Sequence, residues 1–229
     1  MVRQVFSSAC CVLALTAGVA TASDDTVEYV VPAAADSYNY PLNAPHGGLN
    51  YMAMFYDQED GRRAVGMIAF DVGDLAIEAA DIVSARLEFT VGAASNSFDL
   101  DGDSGILGVY NRDAAFDESD PNPPVGMTGD ALVESLLQVG DLGMFTMESP
   151  DLMGLVQQWV ADPAQNMGLD LAFDPVAGAS DTFWLALRTR EWMVADEQPR
   201  LVITAAVPAP GSAMLLVTGA LSGLKRRRR

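Results

Sequence analysis

The sequence predicts a mainly β protein: an antiparallel β-sandwich of jelly-roll type with one amphipathic helix. Three observations carry this. Short stretches of alternating apolar residues recur every 10 to 20 residues, separated by links rich in Gly, Pro and Asp. One segment, about 150–161, instead repeats its apolar residues at helical spacing. No G-x-G-x-x-G loop, strand–helix–strand rhythm or repeat of 20–50 residues is present.

In chain order, Val27, Tyr29 and Val31 alternate, which predicts a strand that stops at Pro32. Residues 35–48 hold Pro41, Pro45 and Gly47-Gly48 and read as a loop. Tyr51–Tyr56 is the next strand. Asp60-Gly61 turns it into a partner strand over Arg63–Val72, with Ile68 and Phe70 on one face. A connection over 73–81 has room for one turn of helix. Ala85–Val91 alternates Leu87, Phe89 and Val91 against Arg86, Glu88 and Thr90. After a loop over 92–104, Ile106–Tyr110 is a strand. Residues 113–129 are acidic, carry Pro121, Pro123 and Pro124, and read as an exposed loop. Ala131–Val139 fits helix or strand, and Leu132, Leu136 and Leu137 suit a short helix. Phe145 begins a strand that leads to Ser149.

Ser149 is a good helix N-cap, and Pro150 fits the first turn, where a missing N–H costs nothing. Leu152, Leu155, Val156 and Trp159 then make a single apolar stripe, which places Trp159 in the core. Asp162-Pro163 ends the helix, because a residue before proline disfavours helical geometry. Three strands follow. Leu169, Leu171 and Phe173 alternate with Asp170 and Ala172; Phe183, Leu185 and Leu187 repeat the alternation; Leu201 and Ile203 close it.

Both ends read as processing segments. Arg3, an apolar run over 5–20, and small residues at Ala20 and Ala22 have the order of a secretory signal peptide over 1–22. Both cysteines, Cys10 and Cys11, fall inside it, so the processed domain has no thiol chemistry. At the other end, Val207-Pro208-Ala209-Pro210 precedes an apolar run over 211–224 and five cations. As a helix that run spans roughly 21 Å, short of the ~30 Å hydrocarbon core. It suits transient retention in the inner membrane, with the cations on the cytoplasmic side.

Between the ends lies one domain, 23–206. It carries all 31 acidic residues and seven arginines, a net charge near −24 against −18 for the whole chain. Such charge opposes nucleic acid and anionic lipid and favours cations.

Two resemblances follow from these residues. The segment from Val207 to Arg229 resembles the PEP-CTERM sorting signal of bacterial surface proteins, with Ala209 where that family usually has glutamate. This implies an exosortase-type protease as partner, cutting near Val207, Pro208 and Pro210. The ordered set Ala35-Asp36-Ser37-Tyr38, Phe70-Asp71-Val72, Ser84-Ala85-Arg86-Leu87, Val156-Gln157-Gln158-Trp159, Asn166-Met167-Gly168-Leu169, Thr189-Arg190-Glu191 and Pro199-Arg200-Leu201 resembles the DNRLRE domain. That family is described as a carbohydrate-binding module, and the resemblance implies a secreted β-sandwich and a polysaccharide ligand.

Candidate sites are few. Asp99, Asp101 and Asp103 alternate on a curving loop, and such carboxylates can converge on calcium. Trp184 and Arg188 share the face of their strand opposite Phe183, Leu185 and Leu187, and Trp192 follows in the next loop. A flat aromatic with a planar guanidinium is a surface on which sugars stack, and Tyr51 or Tyr56 could extend it. Arg188, Arg190 and Glu191 suit an ion pair. His46 is the only histidine, too little for a zinc site without cysteine, and no nucleophile elbow occurs. The expected protein is therefore exported, non-enzymatic and sugar-binding, found in the cell envelope or extracellular matrix. A structural or adhesive envelope protein without a sugar site, and a polysaccharide-acting enzyme, are the alternatives.

Overall fold

A computed structural model of the chain describes residues 25–39, 46–57, 62–92, 104–138, 141–175 and 182–207, without the side chains of 57, 104, 175 and 182–184. Ten strands and one α-helix account for most of these residues: β1 (Thr26–Asn39), β2 (Tyr51–Asp57), β3 (Arg63–Phe70), β4 (Ile82–Val91), β5 (Ser104–Arg112), β6 (Met127–Gln138), β7 (Gly143–Glu148), α1 (Pro150–Ala161), β8 (Leu169–Pro175), β9 (Thr182–Arg188) and β10 (Arg200–Ala206). Every pairing is antiparallel. The order β1-β10-β4-β9-β2-β3 closes on itself, because β3 also pairs with β1. From β3 the sheet continues through β8 and β5 to β6, and β7 adds to the other edge of β4.

β1 makes the closure, and it corrects the expected stop at Pro32. Its first half pairs with β10 as far as Pro32↔Arg200; after a bulge at Ala33/Ala35 its second half pairs with β3, Asp36 opposite Ile68. Pro32 has no N–H to give, so it fits where the strand changes partners. Ala33 resumes the bonding by donating to the Pro199 carbonyl at 3.0 Å. Residues 35–39 are therefore strand rather than loop, and Asp36 is carried into the interior.

A second correction concerns Ala131–Val139. Residues 131–138 are the second half of β6, paired with β5 from Arg112↔Met127 to Ser104↔Gln138. Leu137 is buried and Leu136 exposed, an alternation that no helical stripe would give. Backbone pairing along β5 outweighs the local helical spacing of three leucines.

The helix is as expected. Ser149 Oγ accepts from the Leu152 N–H at 3.0 Å and donates to the Leu132 carbonyl at 2.6 Å, capping α1 and tying it to β6. Leu152, Leu155, Val156 and Trp159 are all buried, each worth about 1.5–3 kcal/mol relative to exposure. The helix packs chiefly on β4, where Gln157 Nε2 reaches the Ile82 carbonyl at 3.1 Å. Leu87, Phe89, Leu107, Val109, Leu169, Leu171, Phe173, Leu187, Leu201 and Ile203 complete one core. Gly168 has φ +89°, and a Cβ there would meet the Ile68 carbonyl oxygen at 2.6 Å, so only glycine opens β8 this close to β3. Among the described residues no helix is long and apolar enough to cross a membrane.

Candidate functional site

β9 ends at Arg188, and a tight turn follows: the Trp192 N–H donates to the Thr189 carbonyl at 3.1 Å. Three bonds hold that turn. Thr189 Oγ1 donates to the Leu49 carbonyl, and Gln198 Nε2 donates to the carbonyls of both Arg190 and Trp192 at 2.7 Å. The turn brings Trp192 back over its own strand. The Arg188 guanidinium lies 3.5 Å from the centroid of the Trp192 ring, a cation–π stack. The indole N–H donates to Glu197 Oε2 at 2.6 Å, and the same carboxylate lies 3.8 Å from Arg188 Nε. Gly92 leaves room for this stack, since a Cβ there would meet Arg188 Cζ at 3.0 Å.

Of the residues expected to bind sugar, Arg188 and Trp192 thus meet, and half-exposed Tyr51 pairs directly across from Arg188. The Trp184 side chain lies outside the described residues; its backbone pairs with Phe55. Tyr56 pairs with Phe183, further from the stack. Met193, 85% exposed, and Val194 form an apolar tip beside Trp192. The platform is aromatic and apolar, edged by a guanidinium already engaged.

Behind the turn is an ionic centre that sequence reasoning missed. Asp36 on β1 is fully buried; its Oδ2 accepts from the Arg190 N–H at 2.7 Å, and its own N–H donates to Glu118 Oε1 at 2.8 Å. Arg190 holds Glu118 at 2.6 Å and Glu191 at 2.7 Å, and donates to the Ala34 carbonyl. The expected Arg190–Glu191 pair is therefore present, but Arg188 pairs with Glu197 instead. Glu118, expected in an exposed acidic loop, is held against Gly47, where a Cβ would meet the Glu118 Cβ at 2.3 Å. The neighbouring acids of that loop cap its own turns: Asp117 accepts from Ser119, Asp120 from Asn122.

A second buried pair was hidden in the alternation of β8. Asp170, which alternates with Leu169 and Leu171, is fully buried and ion-paired with fully buried Arg112. β8 lies between β3 and β5, and both its faces are covered. Asp170 Oδ2 accepts from the Gly126 N–H at 2.9 Å. Arg112 also donates to the carbonyls of Ala114 at 3.0 Å and Pro124 at 2.9 Å. Burial holds the Asp170 carboxyl above its ordinary range against the pull of Arg112 and Gly126. One signal bears on this pair. Seven arginines against 31 acids leave no cation to spare, so an arginine at the end of a strand, such as Arg112, points to an acid near it.

A groove of about 340 Å³ between α1 and β6 is lined by Asn111, Asp130, Asp151 and Gln158 among others, with no aromatic side chain. Among the described residues no three His, Cys, Asp or Glu side chains are grouped to hold a metal ion. Asp99, Asp101 and Asp103, the expected calcium ligands, lie outside the described residues, as do Ala20, Ala22, Pro208 and Pro210. Val207 is described, its N–H donating to the Asp25 carbonyl at 2.9 Å. No protein-family model matches the chain, and no curated protein matches it.

Proposed function

We propose that this chain is the precursor of an exported bacterial surface or exopolysaccharide-matrix protein, whose β domain, a jelly-roll-type sandwich, binds carbohydrate without catalysing a reaction. A signal peptide ending at Ala22 directs export. An exosortase-type protease acts at Val207, Pro208 and Pro210 while the 211–224 helix tethers the precursor in the inner membrane. The observation that supports sugar binding is the Arg188–Trp192 stack at 3.5 Å. It fixes an indole at the surface in one orientation, and a rigid aromatic offers a sugar face contact at little entropic cost.

The surrounding charge argues for neutral rather than acidic sugar. Arg63, Arg86, Arg190 and Arg200 each hold a carboxylate within 2.8 Å, and Arg188 is stacked on Trp192. A uronate would meet acidic protein with one guanidinium at this platform, Arg188, already stacked on Trp192 and 3.8 Å from Glu197, unless calcium, held by Asp99, Asp101 and Asp103, bridged the two. The exposed tip Met193 and Val194 favours a second reading, an adhesive envelope protein whose platform meets other surfaces.

Retention on a glycan array, with and without calcium, tests the first reading. The protein is expected to retain a neutral glycan, and Trp192→Ala to weaken retention about tenfold, or about 1.4 kcal/mol. Failure of the unaltered protein to retain any glycan in either condition sinks it.

A further inference from the structure

The Asp36 centre holds more negative charge than its one guanidinium can balance. Asp36, Glu118 and Glu191 all converge on Arg190. Two carboxylate oxygens in the cluster, Asp36 Oδ1 and Glu191 Oε2, are buried and have no hydrogen-bond partner. Among the described residues, Arg190 is the cation that acts on Asp36. β3 sets Met67, Ile68 and Ala69 opposite the segment Ala35–Ser37, and Ser37 Oγ is itself without a partner. His46, on the adjoining segment, is stacked on Tyr38 with ring centroids 4.2 Å apart.

A buried carboxylate with one orphan oxygen and two like charges beside it is costly to ionise. Burial first, then the Glu191 and Glu118 charges, push the Asp36 carboxyl up to about 7, although the Arg190 N–H and guanidinium oppose them. A proton on Asp36 removes its share of that repulsion.

We propose that one proton on Asp36 clamps the Thr189–Trp192 turn and the 113–126 loop onto β1, and that losing it loosens both. The connections are direct. Asp36 touches the turn through the Arg190 N–H and the loop through Glu118, and the turn positions Trp192. The platform is therefore gated by pH, tighter in acid and looser in base. Gating of sugar binding rests on the function proposed above; the clamp itself does not.

The sign follows from linkage. The folded carboxyl sits near 7 and the unfolded one near 3.8. The folded state thus holds the proton more tightly, and its stabilisation is complete below about pH 4 and is lost as pH rises through about 7.

The test uses the full chain and no glycan. Melting temperature and amide exchange of the 113–126 and 189–192 segments are followed from about pH 5 to about pH 8, exchange being corrected for its intrinsic pH dependence. Asp36→Asn, an uncharged mimic of the protonated acid, is expected to keep both segments protected at the higher pH. The unaltered protein should lose roughly 5–10 °C against that variant across the range, the decline levelling off near pH 7. Asp36→Asn showing the same transition overturns the clamp. Should that variant fail to fold, Glu191→Gln removes one repelling charge and must make the decline level off at lower pH; an unmoved levelling point overturns it equally. His46→Gln must leave the transition in place, and its disappearance would assign the proton to the imidazole. A calcium-induced rise in melting temperature at the higher pH, absent from Asp36→Asn, would put a cation where the proton is placed and also overturn the proposal. Loss of glycan retention alone leaves the clamp standing, because neither readout involves a sugar.

Discussion

Arg112 with Asp170, and Arg190 with Asp36, both anchor the 113–126 loop to the strands, yet they are balanced differently. In the first centre one guanidinium faces one carboxylate, both fully buried, and each Asp170 oxygen has a donor. Arg112 also donates to the carbonyls of Ala114 and Pro124, and its Cζ lies 5.2 Å from the Phe116 ring centroid. In the second, Glu118 and Glu191 share one guanidinium, Asp36 takes only the Arg190 backbone N–H, and two of the carboxylate oxygens are orphaned. Burial raises both carboxyls, and at Asp36 the Glu191 and Glu118 charges add to it. The matched pair, with a donor for each oxygen, is a pin, whereas the overfilled centre leaves two oxygens without one.

The largest effect expected from this contrast is at the pin. Arg112→Met leaves Asp170 buried without its cation and should cost about 3–5 kcal/mol in urea unfolding. Arg190→Met should cost less, about 1–2 kcal/mol, because the Arg190 and Glu118 side chains keep 35% and 25% exposure and water can replace part of the pair. Equal costs would erase the distinction between the two centres.

A smaller effect sharpens it. Adding Asp170→Leu to Arg112→Met removes the stranded charge, so the double variant should regain about 2 kcal/mol of the loss. Full recovery is not expected, since the Gly126 N–H and the Ala114 and Pro124 carbonyls lose partners. A double variant as unstable as the sum of its parts would mean that loop geometry, not charge, sets the cost.

Local chemistry made much of the fold legible before any coordinates. Alternation placed Leu87, Phe89 and Val91 inside, helical spacing placed Trp159 in the core, and the Ser149 cap is where its sequence puts it. What escaped depends on partners distant in the chain. Pro32 looks like a strand end until β3 is present to take over the second half of β1. The alternation does not tell that Asp170 is buried; that depends on β8 lying between β3 and β5, with Arg112 58 residues away. Glu118 is 72 residues from Arg190, and nothing local in an acidic, proline-rich loop singles out one carboxylate for a distant guanidinium. For the platform, residue types on β9 and in the following turn pointed to Arg188 and Trp192. Their stacking on one another depends on a turn whose bonds come from Leu49 and Gln198.

The smallest predicted effect is the control for both centres. Ser149 is an anchor without charge: one hydroxyl serves the Leu152 N–H and the Leu132 carbonyl and joins α1 to β6. Ser149→Ala should cost about 1 kcal/mol, the usual value of a helix cap. No ionisable group takes part in these two bonds, so the cost should be the same at about pH 5 and about pH 8 when measured by urea unfolding. If it grows with pH as the turn is released, the loosening spreads through β6 to the helix, and the response to the Asp36 proton belongs to the whole domain. If it stays flat while Asp36→Asn alone removes the pH dependence, that response is confined to the overfilled centre and the segments it touches.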